Sequence, residues 1–182
     1  MHKELQEKGY LYVPQFVRPE RAVRLTAAFR ECAARGNLKG DNQVPNSSTI
    51  YNFIPFLELL VDKTPKVNEL VGETVLPTYT YARIYNQGAQ LGRHRDREAC
   101  EISLTLHLAG SHEWPIWFEM PGKEPVSRVL NPGDAVLYLG TKAYHWREPF
   151  EGDDYVQVFL HYVRSRGPCS FAYFDKVRKP KS

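Results

Sequence analysis

Cysteine is scarce: Cys32, Cys100 and Cys169 are all that the 182 residues contain. An odd number without metal-like spacing excludes a disulfide framework and points to reduced thiols in a cytoplasmic setting. Long apolar runs are missing too. No stretch approaches the ~20 residues that span a bilayer, and the opening MHKELQEKGY lacks the apolar segment of a signal peptide, so no membrane partner is expected. Neither sign of charge dominates. Lys and Arg number 24 against 21 Asp and Glu, a net charge of +3, which is thin support for a nucleic-acid partner. Repeats and low-complexity tracts are also lacking, so solenoids and linker-joined modules are set aside. What is left is 42% hydrophobic and 25% charged, as in an ordinary globular protein. A single domain of this length buries roughly 70% of its unfolded surface.

The character of the chain changes near Pro77. Before it the patterns are mostly helical, and residues 1–76 read as helical support. In residues 19–35 the apolar Val23, Leu25, Ala28, Phe29 and Cys32 can share one helical face, and Gly36 is a plausible stop. Tyr10-Leu11-Tyr12-Val13 reads as a short strand ended by Pro14. Residues 53–71 predict one or two helices with a break at Thr64-Pro65, and the polar residues 40–49 predict a loop. After Pro77, short strands are expected at 79–85, 100–108, 114–118, 127–130, 135–139, 144–147, 155–163 and 170–174. The turns between them are explicit, as in Asn131-Pro132-Gly133-Asp134 and Glu151-Gly152-Asp153. Such spacing predicts an antiparallel sandwich or barrel over residues 77–175, covered on one outer face by the N-terminal helices of the same fold.

Chemistry concentrates in Gly92-Arg93-His94-Arg95-Asp96. In extended chain, residues two apart project to the same side, so His94 and Asp96 can converge on one ion. His145 opens a distant predicted strand that an antiparallel double sheet can bring alongside. Two histidines and one carboxylate on one face of an octahedral metal leave three positions open, the donor set of non-haem Fe(II) oxygenases. By itself an H-x-D triplet also fits an exposed polar loop. His161 is the rival to His145, although it lies mid-strand with no turn before it. His107 reads as a core or surface histidine, and His112 as a solvated turn residue. Ser103 and Thr105 could face such a pocket, while Trp114, Trp117 and Phe118 read as core.

Three stretches together resemble the Fe(II)- and 2-oxoglutarate-dependent oxygenases, in their prolyl 4-hydroxylase-like and phytanoyl-hydroxylase-like branches. The run Tyr85-x-x-Gly88-x-x-Leu91-x-x-His94-x-Asp96 follows the prolyl-hydroxylase pattern. Pro132-Gly133-Asp134-Ala135-Val136 precedes His145 as a similar turn precedes that family's distal histidine. Residues 156–162, Val-Gln-Val-Phe-Leu-His-Tyr, resemble the closing strand of its barrel. The resemblance covers about 79–163, with an entry segment at GYLYVPQFV. It implies a mainly β protein with N-terminal helices (α+β) and a double-stranded β-helix core of the jelly-roll, cupin-like kind. It further implies Fe(II) on His94, Asp96 and His145, 2-oxoglutarate as cosubstrate with O2, and hydroxylation of a C–H bond with release of succinate and CO2. Asp96 keeps the carboxylate that related halogenases lose to admit chloride.

One departure stands out. The family places a Lys or Arg about ten positions after the distal histidine to grip the far carboxylate of 2-oxoglutarate, and residues 152–157 here hold no base. Arg147, two residues past His145 on the same strand, is the first candidate for that cation. Arg83 is next, followed by Arg93 and Arg97, and Tyr85 matches the family tyrosine that hydrogen-bonds the cosubstrate. Loops at 36–52 and 86–99, with the turn near 109–113, are expected at the barrel mouth. Arg93, Arg95 and Arg97 are the candidate substrate contacts there, for a polar small molecule, an amino acid or a peptide side chain. A monomer or homodimer is expected. The alternatives are a nucleic-acid demethylase of the same superfamily, and a non-redox cupin-like metal- or ligand-binding protein. The basic tail from Lys176 to Lys181 is expected to be solvated.

Overall fold

The computed structural model describes residues 2–176. All of the basic tail beyond Lys176 therefore lies outside the described residues. The N-terminal part runs through α1 (Lys3–Lys8), β1 (Tyr10–Val13), α2 (Pro19–Ala34), β2 (Lys39–Gly40), β3 (Ser47–Tyr51) and α3 (Ile54–Val71). Eight strands follow: β4 (Val75–Asn86), β5 (Leu91–His94), β6 (Ile102–Gly110), β7 (Ile116–Glu119), β8 (Val126–Arg128), β9 (Ala135–Tyr138), β10 (Tyr144–Arg147) and β11 (Asp154–Arg164). They form two antiparallel sheets. The larger has the order β1-β9-β6-β11-β4-β3-β2, and the smaller the order β5-β10-β7-β8.

Period-two alternation sorts the side chains of the larger sheet. Leu104, Leu106, Leu108, Ala82, Val156, Val158 and Leu160 join the core beneath α2 and α3. The residues between them, Ser103, Thr105, His107, Gln157, Phe159 and His161, are buried on the opposite face. Helix α2 contributes Ala22, Leu25, Thr26 and Phe29 to the helical layer, an i, i+3, i+4, i+7 stripe. Phe29 packs edge-to-face on Phe56 of α3, with ring centroids 5.4 Å apart. Burial of each such side chain contributes about 1.5–3 kcal/mol. The Tyr162 hydroxyl donates to the Leu60 carbonyl at 2.9 Å, tying β11 to α3. The Pro132-Gly133-Asp134 turn is locked by its own aspartate, whose Oδ2 accepts from Tyr12 Oη at 2.7 Å and from Asn131 N at 3.0 Å.

Four details differ from the sequence expectation. Val23 is 68% exposed, because the buried stripe of α2 is set one residue earlier, by Ala22. Helix α3 is continuous through Pro65. The proline leaves only the Val61 carbonyl without its donor, on a residue that is 64% exposed and open to water, and Thr64 Oγ1 donates to the Leu60 carbonyl at 2.9 Å. Residues 40–49 are only partly a loop, since Gly40 and Ser47 to Thr49 belong to the β2–β3 hairpin at the edge of the larger sheet. Residues 170–174 form a 3-10 segment, Ser170–Asp175, instead of a strand.

Candidate metal centre

Strands β5 and β10 are antiparallel neighbours that set His145 opposite His94. The ring centroids are 4.2 Å apart. Asp96 lies just past the end of β5, where its N–H donates to the Gly140 carbonyl at 2.9 Å. Its Oδ1 is 3.4 Å from His145 Nε2 and 3.7 Å from His94 Nε2. One ligand atom from each of the three residues lies within 4.8 Å of the others. The opposite ring nitrogens face carbonyls, His94 Nδ1 at 2.9 Å from Gly92 O and His145 Nδ1 at 3.2 Å from Ala143 O. Protonation at Nδ1 leaves both Nε2 lone pairs toward Asp96, the usual orientation of metal-binding imidazoles. Asp96 Oδ2 accepts from the Ser103 hydroxyl at 2.7 Å, fixing the carboxylate from behind.

The electrostatics hold Asp96 as a carboxylate. Burial raises the Asp96 pKa, but hydrogen bonding and charge from His145, the charge of His161 and the Ser103 hydroxyl outweigh it, leaving the carboxyl well below its usual range. Burial, then the neighbouring His145, lowers the pKa of His94. A second group, Asp96, Cys100 and His161, also brings one ligand atom from each residue within 4.8 Å of the others. There burial, then the Asp96 charge, pushes the Cys100 thiol up to about 12, and a protonated thiol is a poor ligand. Burial lowers His161 to about 4, and its Nδ1 lies 2.9 Å from Ser103 Oγ.

The triad lines one side of a cavity of about 350 Å³, completed by Gln43, Tyr51, Tyr79, Tyr81, Arg83, Leu91, Phe159 and their neighbours. The segments at 36–52 and 86–99 both contribute to this lining, whereas the turn at 109–113 does not. Of the expected arginines, Arg83, Arg95 and Arg97 line the cavity. Arg93 instead turns to Glu119, with contacts of 2.8 and 3.0 Å. Arg97 pairs with Asp175 at 2.7 Å. Arg83 is buried against Asp41 at 2.6 Å, donates to Gln43 Oε1 at 2.6 Å and reaches Tyr85 Oη at 3.4 Å.

Arg147 is 1% exposed and shares the inner face of β10 with His145, but neither it nor Tyr85 is among the residues that line this cavity. Its guanidinium donates to the Trp114 carbonyl and, at 3.3 Å, to Gln157 Oε1. Trp114 and Tyr155 flank it, with ring centroids 4.6 and 4.9 Å from Cζ. Among the described residues no carboxylate pairs with it, and the buried Tyr155 hydroxyl has no hydrogen-bond partner. His107, Trp114 and Phe118 are buried and His112 is exposed, whereas Trp117, expected in the core, is only half-buried because it alternates with Ile116 and Phe118 along β7. Sequence reasoning did not find Asp41, Asp175, Gly140 or the tyrosine wall. For the wall there was a signal, since Tyr79, Tyr81, Arg83 and Tyr85 alternate along one strand.

No protein-family profile matches the sequence, and no curated protein matches it. Solved structures do match in fold. A Pseudomonas putida prolyl-4-hydroxylase superimposes with a TM-score of 0.73 at 16% identity, covering 90% of this chain and 96% of that one. A Trichoplax adhaerens prolyl hydroxylase, solved with a hypoxia-inducible-factor peptide fragment, gives 0.72 at 13% identity, covering 90% and 87%. HygX from Streptomyces hygroscopicus, solved with nickel and 2-oxoglutarate bound, gives 0.71 at 11% identity, covering 91% and 88%. The fold is thus the double-stranded β-helix of these oxygenases.

Proposed function

We propose that this protein is an Fe(II)- and 2-oxoglutarate-dependent dioxygenase that hydroxylates a C–H bond of a small molecule, amino acid or peptide side chain. The observation that carries the reading is the convergence of His94 Nε2, His145 Nε2 and one Asp96 oxygen at the wall of a cavity. Two neutral imidazoles and one carboxylate fit ferrous iron and leave coordination positions free for cosubstrate and O2. When bound, iron and 2-oxoglutarate supply the oxidising power, with one oxygen atom of O2 passing to the substrate and the other to succinate as CO2 leaves.

The chain's own residues position these groups. Arg147 is assigned to the distal carboxylate of 2-oxoglutarate. A buried guanidinium without a carboxylate is costly, and a dianion whose far end lies beside Arg147 and the unpartnered Tyr155 hydroxyl would satisfy both. Gln157, which donates to Thr105 Oγ1 and accepts from Arg147, fixes the orientation of the guanidinium fork. Tyr155 itself occupies the stretch where the resembling family carries its base. Arg83 is the second choice, because Asp41 already neutralises it. Tyr85 Oη, reached by Arg83, can donate to the same cosubstrate. Ser103 holds the Asp96 carboxylate against rotation.

Succinate formation on adding Fe(II), 2-oxoglutarate and O2 tests the reading, together with calorimetric titration of Ni(II) as an inert stand-in. Metal uptake and succinate are expected from the wild type, and neither from His94→Ala. Retained metal binding in His94→Ala, or a wild type that binds no metal, overturns it.

A further inference from the structure

The end of the 3-10 segment Ser170–Asp175 fastens the cavity rim. Tyr51 and Arg97 belong to the two segments expected at the mouth. Both line the cavity and both are exposed, so they stand where it meets solvent. Asp175 joins them. Its Oδ1 lies 2.7 Å from an Arg97 guanidinium nitrogen, and its Oδ2 accepts from the Tyr51 hydroxyl. Arg97 also reaches the Tyr51 hydroxyl at 3.5 Å and lies over the Tyr79 ring, with Cζ 4.6 Å from the centroid. Tyr51 in turn stacks on Tyr79 at 4.7 Å. One carboxylate thus ties the end of β3 to the residue that follows Asp96.

The segment that carries Asp175 is anchored by its start. Cys169 and Ala172 are buried in a cluster with Tyr79, Cys100 and Val163. Tyr173 then leaves the helical run at ψ 143°, and Phe174 and Asp175 both hold left-handed backbone, at φ 48° and 58°. Side chains other than glycine disfavour that region, and such strain persists only where contacts over-determine it. Phe174 is 70% exposed and gains little from burial, so the Asp175 contacts hold the turn. An ion pair at an exposed rim is weak, which sets a strained closed form against a relaxed open one with little between them. We propose that residues 173–175 are a clasp that governs entry to the metal cavity. With Asp175 on Arg97 and Tyr51 the rim is drawn together. When Asp175 lets go, the left-handed turn relaxes, Tyr51 and Arg97 part, and a substrate passes between them to the triad. The clasp serves whatever chemistry the triad performs and so stands apart from the oxygenase reading.

Cys100 reports the opening. It lines the cavity but is 3% exposed, so a thiol reagent reaches it by way of the mouth, whereas Cys32 on α2 is partly exposed. The test is the rate of N-ethylmaleimide labelling at each of these cysteines, mapped by mass spectrometry. Wild type, Asp175→Ala and Phe174→Gly are compared, each supplied with Ni(II). Asp175→Ala should label Cys100 about tenfold or more faster, the worth of a charged hydrogen bond. Phe174→Gly relieves the backbone strain and alters no charge near the thiol, and should label Cys100 about fivefold or more slowly. Cys32 should react alike in all three. An unchanged Cys100 rate in Asp175→Ala, a rate in Phe174→Gly equal to or above that of the wild type, or a matching rise at Cys32 overturns the proposal. Labelling is read whether or not Ni(II) binds, so a wild type that takes up no metal overturns the oxygenase reading alone.

Discussion

The two sheets carry different burdens. Strand β11 of the larger sheet is buried from Tyr155 to Val163 without interruption, with helices against one face and the cavity against the other. In the smaller sheet burial alternates: along β10, His145 and Arg147 are buried while Tyr144 and Trp146 are half-buried. Yet the thinner sheet supplies His94 and His145. It can hold them because the larger sheet braces the site from across the cavity, with Ser103 on Asp96 and Tyr138 beside the His145 ring at 4.7 Å. Stability is concentrated in the covered sheet and ligand chemistry in the open one. Substitutions in the two should therefore separate into those that unfold the protein and those that silence it.

The largest effect expected is from Asp96→Ala, which removes the carboxylate shared by both histidine contacts. Succinate formation should fall to background while the far-ultraviolet circular dichroism spectrum is kept; measurable turnover would move the metal elsewhere. Arg147→Gln comes next. It should raise the 2-oxoglutarate concentration for half-maximal rate by about tenfold or more, the worth of a charged hydrogen bond, with Ni(II) affinity unchanged. An unaltered requirement would pass the role to Arg83. Gly140→Ala probes the brace itself. A Cβ there would meet the Cys100 carbonyl, an Asp96 carboxylate oxygen and Ser103 Oγ, so Ni(II) affinity should drop about 10–100-fold, as for other disrupted supports of metal ligands. Leu160→Ala, fully buried under the helices, should instead cost about 2–5 kcal/mol in urea unfolding and leave the 2-oxoglutarate requirement alone.

Much of this contrast was legible beforehand. The H-x-D triplet, the turn at Pro132-Gly133-Asp134 and the alternation of His145 with Arg147 are local patterns; in the structure His145 pairs with His94, Asp96 follows just past β5, and His145 and Arg147 are both buried on β10, across a shift of register. Partners supplied by irregular segments were not legible. Asp41 and Asp175 reach Arg83 and Arg97 from a hairpin loop and a 3-10 segment, neither of which has a periodic signature. Gly140 matters because of what packs over it, which no spacing records. Val23 shows the limit of helical patterning: a stripe shifted by one residue satisfies the apolar count equally well, and only the packing partner decides between the two. The tyrosine wall was readable from alternation along β4, but which face of that strand met the cavity depended on the second sheet.

The smallest effect expected is at Trp117, and it is the one that can break the comparison. Trp117 and Trp146 are paired across β7 and β10 and stack with centroids 5.8 Å apart and planes 10° from parallel. They lie on the outer face of the smaller sheet, with the Arg93 guanidinium 6.0 Å from the Trp146 ring. Trp146 follows His145 directly, but pleating sends the two side chains to opposite faces. The stack is worth about 0.5–1.5 kcal/mol, so Trp117→Ala should lower the urea midpoint slightly. Because His145 is held from the inner face, by the Ala143 carbonyl and the Tyr138 ring, Ni(II) affinity should be unchanged within about twofold. A larger loss of metal affinity would mean that the outer ladder sets the pitch of β10, and the open sheet would then owe its ligand geometry to its solvent face as much as to the sheet behind it.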